Sequence, residues 1–381
     1  MKRIVGIISF MNRGGAQEAM LRLMRQLRLR GYDTDVWFLY PREHCYGNEE
    51  HVRLLCPHRR LTTWTYLALF FQVWRDLRRT RADAVIGFLS LGNALGLTAA
   101  AAAGVRTRLA AQRTPSFAVS PLMRRVDRLL GSLPIYKAII CVSDQVRQSF
   151  GDNPARYRAK LSVVPNGIEW HPSTLDKQAA RSAFGLPTNA FLCVATGRFV
   201  REKNYPFLVE VARRVPGAHF AIGGNGPLLP AVREAAAQAG VGDRFYFLGQ
   251  LERGQIPNLL RAADAFVHAS LFEGHSNSIL EAMHEGLPVV ANDIDTIRES
   301  VIDEVGEPTT LLCPVNDAEA WAKALVLLRD DRAAGEALGR RALALVDRRF
   351  TLTAMVDAFE SLLLSLESRS TQTAWKGAAA S

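Results

Sequence analysis

Short apolar runs rich in β-branched residues alternate with segments of helical periodicity along nearly the whole chain. This alternation is typical of parallel α/β layers. It begins at Ile4, is interrupted after the turn 163–167, and resumes at Phe191. The predicted strands are 4–9, 34–40, 84–90, 108–112, 138–143 and 161–164 before the interruption, and 191–196, 219–223, 245–249, 265–269, 288–292 and 310–313 after it.

A length of 381 residues favours two domains. Because the interruption is rich in Pro, Ser and charge, we place the boundary there, between a first domain of 1–168 and a second of 169–351. A helical pattern at 352–366 follows the second domain. The tail 368–381 is small, polar and rich in alanine, and this composition predicts disorder.

The five cysteines are scattered and show no C-x-x-C spacing, which argues against a disulfide framework or a zinc site and fits a reducing cytoplasm. The apolar start at 4–10 is short and has no small-residue cleavage site, so we interpret it as a first strand rather than a signal peptide. The longest apolar segment, 61–74, is shorter than the roughly 18–20 residues of a membrane span. The sequence therefore predicts a soluble or peripheral protein.

The net charge of +10 is unevenly distributed. Residues 1–165 hold 26 Lys and Arg against 11 Asp and Glu, whereas the rest of the chain holds 21 against 26. Nucleic acid, an anionic membrane, a phosphate-bearing lipid or solvent alone could face such a basic surface. No nucleic-acid motif accompanies the charge, so we expect no nucleic-acid partner.

Two loops after predicted strands favour an anionic ligand. The loop 196–204 carries Arg198 and Lys203, which could clamp phosphate oxygens at the carboxyl end of a strand, although a solvated loop could look the same. The loop 223–227 carries Gly224, Asn225 and Gly226, and its glycines would let backbone N–H groups approach an anion. A tight strand-to-helix turn would have the same composition, and no third glycine completes a dinucleotide fingerprint.

The segment 270–283 is the strongest indication of a ligand site. Ser276 or Asn277 would cap a new helix, and Ser278 would lie in its first turn, where free N–H groups bind a diphosphate. Glu273 on the loop and Glu281 on the helix would flank that site. Carboxylates are poor phosphate ligands but good acceptors for hydroxyl groups, so the pair suits a ribose and a sugar ring. The nearby segment 297–300 is a weaker candidate for the rim of the same pocket.

These motifs, taken together, resemble the retaining GT-B glycosyltransferases, and more specifically glycosyltransferase family four. Glu273 and Glu281, separated by seven residues, carry the closest similarity. The other motifs lie in register over nearly the whole chain: 13–16, 164–167, Gly197-Arg198 with Lys203, 224–227 and 286–291. The resemblance implies two Rossmann-like parallel α/β domains that face each other across a cleft, with the helix 352–366 packed back onto the first domain.

The resemblance also implies a role for each motif. Arg198 and Lys203 would hold the donor diphosphate, Glu273 the hydroxyls of the transferred sugar, and Glu281 those of the ribose. Gly14 and Gly15 would let the loop after the first strand close over the diphosphate. The family often places a histidine in the acceptor domain; none lies at 112–114, where Arg113 would take its place.

We therefore expect a metal- and cofactor-independent hexosyltransferase that uses a nucleotide sugar, with UDP-sugars favoured because they are the more frequent donors in the family. Asp293 and Asp295 have the spacing of a metal motif, but they fall at a strand exit and are interpreted as a coincidence. The expected acceptor is a lipid-linked molecule or a glycan, in bacterial surface-polysaccharide biosynthesis at the inner face of the membrane. The alternatives are a GDP-mannose-dependent mannosyltransferase, a GT-B-like epimerase or phosphorylase, a non-catalytic sugar-nucleotide-binding subunit and a basic membrane adaptor.

Overall fold

The computed structural model describes residues 2–43, 45–46, 49–252 and 254–378, with the backbone alone for 369–378. The strands are β1 Arg3–Met11, β2 Asp33–Pro41, β3 Val52–Leu54, β4 Ala84–Phe88, β5 Thr107–Gln112, β6 Ala138–Cys141, β7 Leu161–Val163, β8 Phe191–Thr196, β9 Ala218–Gly223, β10 Phe245–Gly249, β11 Ala265–His268, β12 Val289–Asn292 and β13 Leu311–Cys313.

The helices connect these strands and cover both faces of each sheet. They are α1 Gly15–Leu29, α2 Thr63–Thr80, α3 Leu89–Leu91, α4 Leu97–Ala102, α5 Pro121–Ser132, α6 Asp144–Gln148, α7 Ala155–Arg158, α8 Lys177–Ala183, α9 Tyr205–Arg214, α10 Leu229–Gln238, α11 Gln255–Ala262, α12 Asn277–His284, α13 Asp295–Val301, α14 Ala318–Asp330, α15 Arg332–Arg349 and α16 Leu352–Ala378. A π-helical turn, Gly92–Gly96, joins α3 to α4.

The residues up to Gly167 and the helix α16 form one compact unit. Its parallel sheet has the order β3-β2-β1-β4-β5-β6-β7, so the strand order reverses between β1 and β4. Leu27 of α1 and Phe359 of α16 belong to the core on one face of this sheet, and Val73 of α2 and Tyr157 of α7 belong to the core on the other face. Burial of these apolar side chains on both faces is the main force that holds such layers together.

Residues Ile168–Thr351 form the second compact unit. Its parallel sheet has the order β10-β9-β8-β11-β12-β13, and here the strand order reverses between β8 and β11. In open α/β sheets a ligand binds outside the carboxyl ends of the strands at such a reversal. A ligand site is therefore expected at the loops that follow β8 and β11.

The two-sheet α/β architecture predicted from the alternation is confirmed. The sequence prediction missed β3, a three-residue strand at the sheet edge, because it is too short for a period-two pattern and carries the exposed Arg53. The tail from Ser368 was predicted to be disordered, whereas the structure continues α16 to Ala378, and 379–381 lie outside the described residues. Adding residues to an existing helix needs no new nucleation, and this tail contains no proline. No helix in the described part of the chain is both long and apolar enough to cross a bilayer.

Candidate functional site

The loops after β8 and β11 lie at the strand reversal of the second unit and are tied to each other. The first loop ends in a 3₁₀ turn, Arg201–Lys203, and the second leads into α12. The backbone N–H of Leu271 donates to the carbonyl oxygen of Glu202 over 2.8 Å. This hydrogen bond holds two loops that are distant in sequence in a fixed relation.

Lys203 and Glu273 form a largely buried ion pair between these loops. The Nζ of Lys203 lies 2.6 Å from Oε1 of Glu273, and the two side chains are 18 % and 16 % exposed. Burial opposes ionisation of Glu273, but the charge of Lys203 and a hydrogen bond from His268 outweigh it, so the pKa of Glu273 lies well below its ordinary value. Glu273 is therefore a carboxylate at neutral pH.

His268 is the last residue of β11, and its side chain contacts Glu273. Its side chain is 3 % exposed, and its Nε2 lies 3.1 Å from Oε1 of Glu273 and 3.3 Å from Oγ of Ser276. Burial and the charge of Lys203 lower the pKa of His268, so the ring is neutral. Because a carboxylate only accepts hydrogen bonds, we assign the proton to Nε2, from which it is donated to Glu273.

Ser276 caps α12 and is one of the two residues, with Asn277, that the sequence offered for this position. Its Oγ accepts from the N–H of Ile279 and lies 3.1 Å from Oγ of Ser278. Asn277 is the first residue of α12, and Glu281 is half-buried one turn further along. The start of this helix thus lies beside the ion pair, where its N–H groups favour an anion.

Arg198 lies on the same loop as Lys203 but has a different partner. Its side chain is 44 % exposed and lies 3.6 Å from the carboxylate of Glu202. An exposed ion pair of this kind contributes little and breaks easily. Arg198 is therefore available to turn toward an incoming anion.

The glycines at 224 and 226 have a packing role that the sequence analysis did not anticipate. Both have positive φ, and a Cβ on Gly224 would lie 1.9 Å from the carbonyl oxygen of Gly197. The N–H of Phe199 donates to the carbonyl of Asn225 over 2.9 Å. These residues join the loop after β9 to the loop that carries Arg198. Packing between the two loops is therefore sufficient to explain why glycine occupies positions 224 and 226, whether or not a ligand binds there.

In the first unit, Gly14 and Gly15 lie at the start of α1, at the carboxyl end of β1. Arg113 directly follows β5 and is half-buried. Its guanidinium donates to Oδ1 of Asn166 and lies 4.9 Å over the ring of Phe88. Burial, followed by repulsion from Arg22, lowers the pKa of Arg113 to about 9, so it stays a cation at neutral pH.

The residues that follow β12 include an acidic side chain with a basic partner. Asp293 forms an ion pair with Arg298, which belongs to the segment 297–300 that was predicted for the rim of the pocket. Within the described residues, no group of three or more His, Cys, Asp or Glu side chains is arranged to hold a metal ion.

His268 is the residue that the sequence analysis missed. The available indication was a lone histidine at the end of an otherwise apolar buried strand, Ala265–His268. The family resemblance pointed to a histidine in the first half of the chain, whereas His268 lies in the second unit. Lys203, Glu273 and Ser276 are brought together around His268, whereas the structure pairs Arg198 with Glu202.

Comparison with known proteins identifies the chain's relatives. Residues 13–170 match the family described as Glycosyltransferase Family 4, and residues 176–344 match Glycosyl transferases group 1. The UDP-Gal:alpha-D-GlcNAc-diphosphoundecaprenol alpha-1,3-galactosyltransferase of Escherichia coli is 28% identical over 276 residues, which cover 68% of this chain and 70% of that protein.

A second relative is the lipopolysaccharide core biosynthesis mannosyltransferase LpsB of Rhizobium meliloti. It is 29% identical over 249 residues, which cover 60% of this chain and 68% of that protein. Among solved structures, Anabaena HepE in complex with UDP and glucose superimposes with a TM-score of 0.83. The two chains share 19% identity, and the match covers 96% of this chain and 100% of HepE.

Proposed function

Because the chain belongs to the GT-B glycosyltransferases of family 4 and group 1, we propose that it transfers a hexose from a nucleoside-diphosphate sugar, most favourably a UDP-sugar, with retention of configuration. The observation that carries this proposal is the cluster of Lys203, Glu273 and His268 at the strand reversal of the second unit. It combines a cation for a phosphate with a fixed carboxylate for a hydroxyl group.

The donor diphosphate would bind between Lys203, Arg198 and the first turn of α12. As the bond from the anomeric carbon to the diphosphate oxygen breaks, negative charge grows on that oxygen, and fixed positive groups stabilise it. In this proposal Lys203 and the N–H groups of α12 would do this, and no metal ion or cofactor would be needed. That Gly14 and Gly15 of the first unit contribute to diphosphate binding stays a prediction.

The sugar and the ribose would be held by carboxylates. Glu273, ionised and oriented by His268, would accept hydrogen bonds from the hydroxyls of the transferred hexose. Glu281 would accept those of the ribose. Since Lys203 already neutralises Glu273, donor binding would share the ammonium between the carboxylate and a phosphate oxygen rather than expose an unpaired charge.

Bond formation would need no separate base. The acceptor hydroxyl would attack the anomeric carbon from the face that the diphosphate leaves, and its proton would pass to the departing phosphate oxygen. One C–O bond forms as another breaks, so the products are the glycoside and a nucleoside diphosphate. The transition state is stabilised by groups aimed at the leaving diphosphate.

The proposed acceptor is lipid-linked or a glycan, in bacterial surface-polysaccharide biosynthesis at the inner face of the membrane. The basic excess of residues 1–165 supports this, because it suits a phosphate-bearing acceptor or an anionic lipid surface. The Escherichia coli relative, whose name specifies a diphosphoundecaprenol acceptor, also supports it. Arg113 is the residue of the first unit that we propose to face the acceptor side.

The test measures thermal stabilisation and slow hydrolysis of a panel of UDP-, GDP- and ADP-sugars. We expect one nucleotide class to stabilise the protein, and we expect Lys203→Ala to lower donor turnover about 100- to 1000-fold. Glu281→Ala should abolish the stabilisation. Arg201→Ala is the matched control, since Arg201 is an exposed cation two residues before Lys203.

Lys203→Ala leaves Glu273 buried without its cation, which could destabilise the fold. The double variant Lys203→Met with Glu273→Gln removes both charges and separates a loss of catalysis from a loss of folding. A folded wild-type protein that responds to no sugar nucleotide would contradict the proposal. Equal losses in the Lys203 and Arg201 variants would contradict the role given to Lys203.

A further inference from the structure

The first half of α2 exposes large apolar side chains to solvent. Trp64, Leu67 and Phe71 are 80, 47 and 60 % exposed. Their spacing of three and then four residues places them on one face of the helix. Leu69 and Val73, on the other side, are buried in the core of the first unit and hold α2 against its sheet. The exposed stripe is therefore presented by an anchored helix.

A second stripe lies at α5. Leu122 and Leu129, seven residues apart on this helix, are 69 and 60 % exposed, and Phe117, just before the helix, is 65 % exposed. The helix start is well defined, with Pro121 in its first turn and the hydroxyl of Ser120 accepting from the N–H of Met123. Large apolar side chains grouped in this way mark an interaction site.

The two stripes lie on the same face of the sheet. The connections β3 to β4 and β5 to β6 run in the same direction across the sheet order, and right-handed crossovers place α2 and α5 on one face. The connection β1 to β2 runs the opposite way, which places α1 on the other face. In agreement with this, α2 and α5 both contact the π-helical turn 92–96, whereas α1 contacts α16.

Exposed arginines surround the apolar stripes, and the two carboxylates near them, Asp76 and Asp127, are not exposed. The segment 57–75 contains exposed Arg59, Arg60 and Arg75 and no acidic residue. Asp76, which follows it, is buried and forms ion pairs with Arg53 and Arg75. The exposed arginines of α5 are Arg124, Arg125 and Arg128. The one acid between residues 116 and 135, Asp127, points inward and accepts hydrogen bonds from Gln112 and Tyr157.

We propose that this aromatic–basic surface docks the protein onto a bilayer rich in anionic phospholipid. We define the surface as the exposed residues Trp64, Leu67, Phe71, Phe117, Leu122 and Leu129 with Arg59, Arg60, Arg75, Arg124, Arg125 and Arg128. The apolar side chains enter the interface between headgroups and acyl chains, and the guanidinium groups bind lipid phosphates. This inference names the surface for the membrane contact of the proposed function, but the docking does not depend on the transfer chemistry.

Charge favours a bilayer over a second copy of the chain. A symmetric dimer through this surface would bring the same arginines of both copies together, and the two nearby carboxylates are already engaged within one copy, Asp76 with Arg53 and Arg75 and Asp127 with Gln112 and Tyr157. A nucleic acid would bind the arginines but would leave the leucines of α5 without a role. An anionic bilayer satisfies both the apolar and the basic parts of the surface.

The experiment measures cosedimentation of the full chain with phosphatidylcholine vesicles prepared with and without phosphatidylglycerol. We expect binding that requires phosphatidylglycerol and weakens with salt. Trp64→Ser with Phe71→Ser should weaken it roughly tenfold or more. Arg124→Gln with Arg125→Gln and Arg128→Gln should weaken it by a similar factor and reduce its salt dependence.

Matched controls come from other surfaces of the chain. Leu29→Ser removes an apolar side chain that is 76 % exposed on α1, on the opposite face of the sheet. Arg332→Gln with Arg340→Gln and Arg348→Gln removes three exposed arginines of α15 in the second unit. Both controls should bind vesicles like the wild type.

Several outcomes would overturn the inference. They are binding that does not depend on phosphatidylglycerol, equal losses in the variants and their controls, and a wild-type dimer that the Trp64 and Phe71 changes convert to a monomer. Hydrolysis of the donor without vesicles should be unchanged in all of these variants. If the wild type hydrolyses no donor but still binds anionic vesicles, the proposed enzyme activity fails and the docking surface stands.

Discussion

Lys203 and Glu273 place two opposite charges in a largely water-excluded position. The desolvation free energy of two buried charges offsets much of their Coulomb attraction. A buried ion pair is therefore weak evidence for a stabilising role. A strongly shifted carboxylate pKa at a strand reversal is better evidence for a functional one. His268 is the third group of this cluster. Its side chain contacts Glu273 and Ser276, the cap of α12, and orients both.

Replacing His268 tests this positioning. His268→Leu removes the hydrogen bond to Glu273, and misplacement of that carboxylate should lower kcat about 100-fold with little change in the KM of the donor. His268→Gln keeps an N–H donor at a similar reach and should retain turnover within about threefold. Steady-state kinetics on the preferred nucleotide sugar measures both. Full activity in the leucine variant would show that Glu273 does not need His268.

The same variants carry a pH prediction. Burial lowers the pKa of His268 below its ordinary value of 6.5, so below that pH the unfolded chain binds a proton that the folded chain does not. The free energy of unfolding of the wild type should therefore fall between about pH 7 and about pH 5. In both variants the free energy of unfolding should lack this dependence on pH, as measured by urea unfolding at several pH values. Parallel pH profiles would contradict a buried neutral His268.

Gly224 provides a test at a single backbone position. Gly224→Ala combines a positive φ with a Cβ only 1.9 Å from the carbonyl oxygen of Gly197, and should destabilise the protein by about 2–3 kcal/mol. Gly254→Ala is the control, because its Cβ would have no neighbour within 4 Å and its φ is not positive. Chemical denaturation compares the two. Equal stabilities would mean that the loops are not packed as described.

At the level of elements, the candidate site depends on loops that follow parallel strands. Different contacts hold each of these loops in place. The loop after β8 is fixed by the glycine loop after β9, and the loop after β11 by the cap of α12. Rigid sheets position such loops, and their side chains then carry the chemistry. The helix α16 contributes differently, because it belongs to the core of the first unit although it ends the chain.

The role of α16 can be measured through its buried face. Phe359 is fully buried among residues of the first unit, and Phe359→Ala should cost about 3–5 kcal/mol of unfolding free energy through the cavity it leaves. Leu364→Ala, on the half-exposed side of the same helix, should cost less than about 1 kcal/mol. Thermal and urea unfolding report both values. A small effect of Phe359→Ala would argue against docking of α16 in that core.

Across the whole molecule, the basic excess and the candidate donor site lie in different units. Residues 1–165 carry the basic excess and the aromatic–basic surface, whereas the strand reversal that holds Lys203 and Glu273 belongs to the second unit. Screening by salt acts strongly on exposed charges and weakly on buried pairs. The proposed membrane docking and the proposed sugar transfer should therefore respond differently to ionic strength.

This division predicts a selective effect of salt. Raising the ionic strength should raise the apparent KM for a lipid-linked acceptor in anionic vesicles roughly tenfold, because membrane attraction is screened. The KM for the nucleotide sugar, measured by hydrolysis in solution, should change by less than about threefold. Kinetic titrations at low and high salt measure both constants. A parallel rise of the two values would indicate that salt acts on the donor site itself.

Local patterns were sufficient for the α/β class and for all strands except β3, and they placed the candidate motifs in loops that follow strands. That these motifs bind a ligand stays a prediction. Strand and helix periodicity is a property of neighbouring residues, so it can be seen without the tertiary fold. The assignment of Lys203 and Glu273 to one site also followed, because carboxyl ends of parallel strands converge at a reversal.

Only the tertiary structure could decide which side chains meet there. The pairing of Lys203 with Glu273 and the need for glycine at 224 arise from contacts between residues far apart in the chain. His268 lies only five residues before Glu273, but the fold of the loop after β11 decides that the two side chains meet. The same holds for the shared face of α2 and α5, which depends on strand order. Such contacts are set by packing of the whole unit, and periodicity carries no information about them.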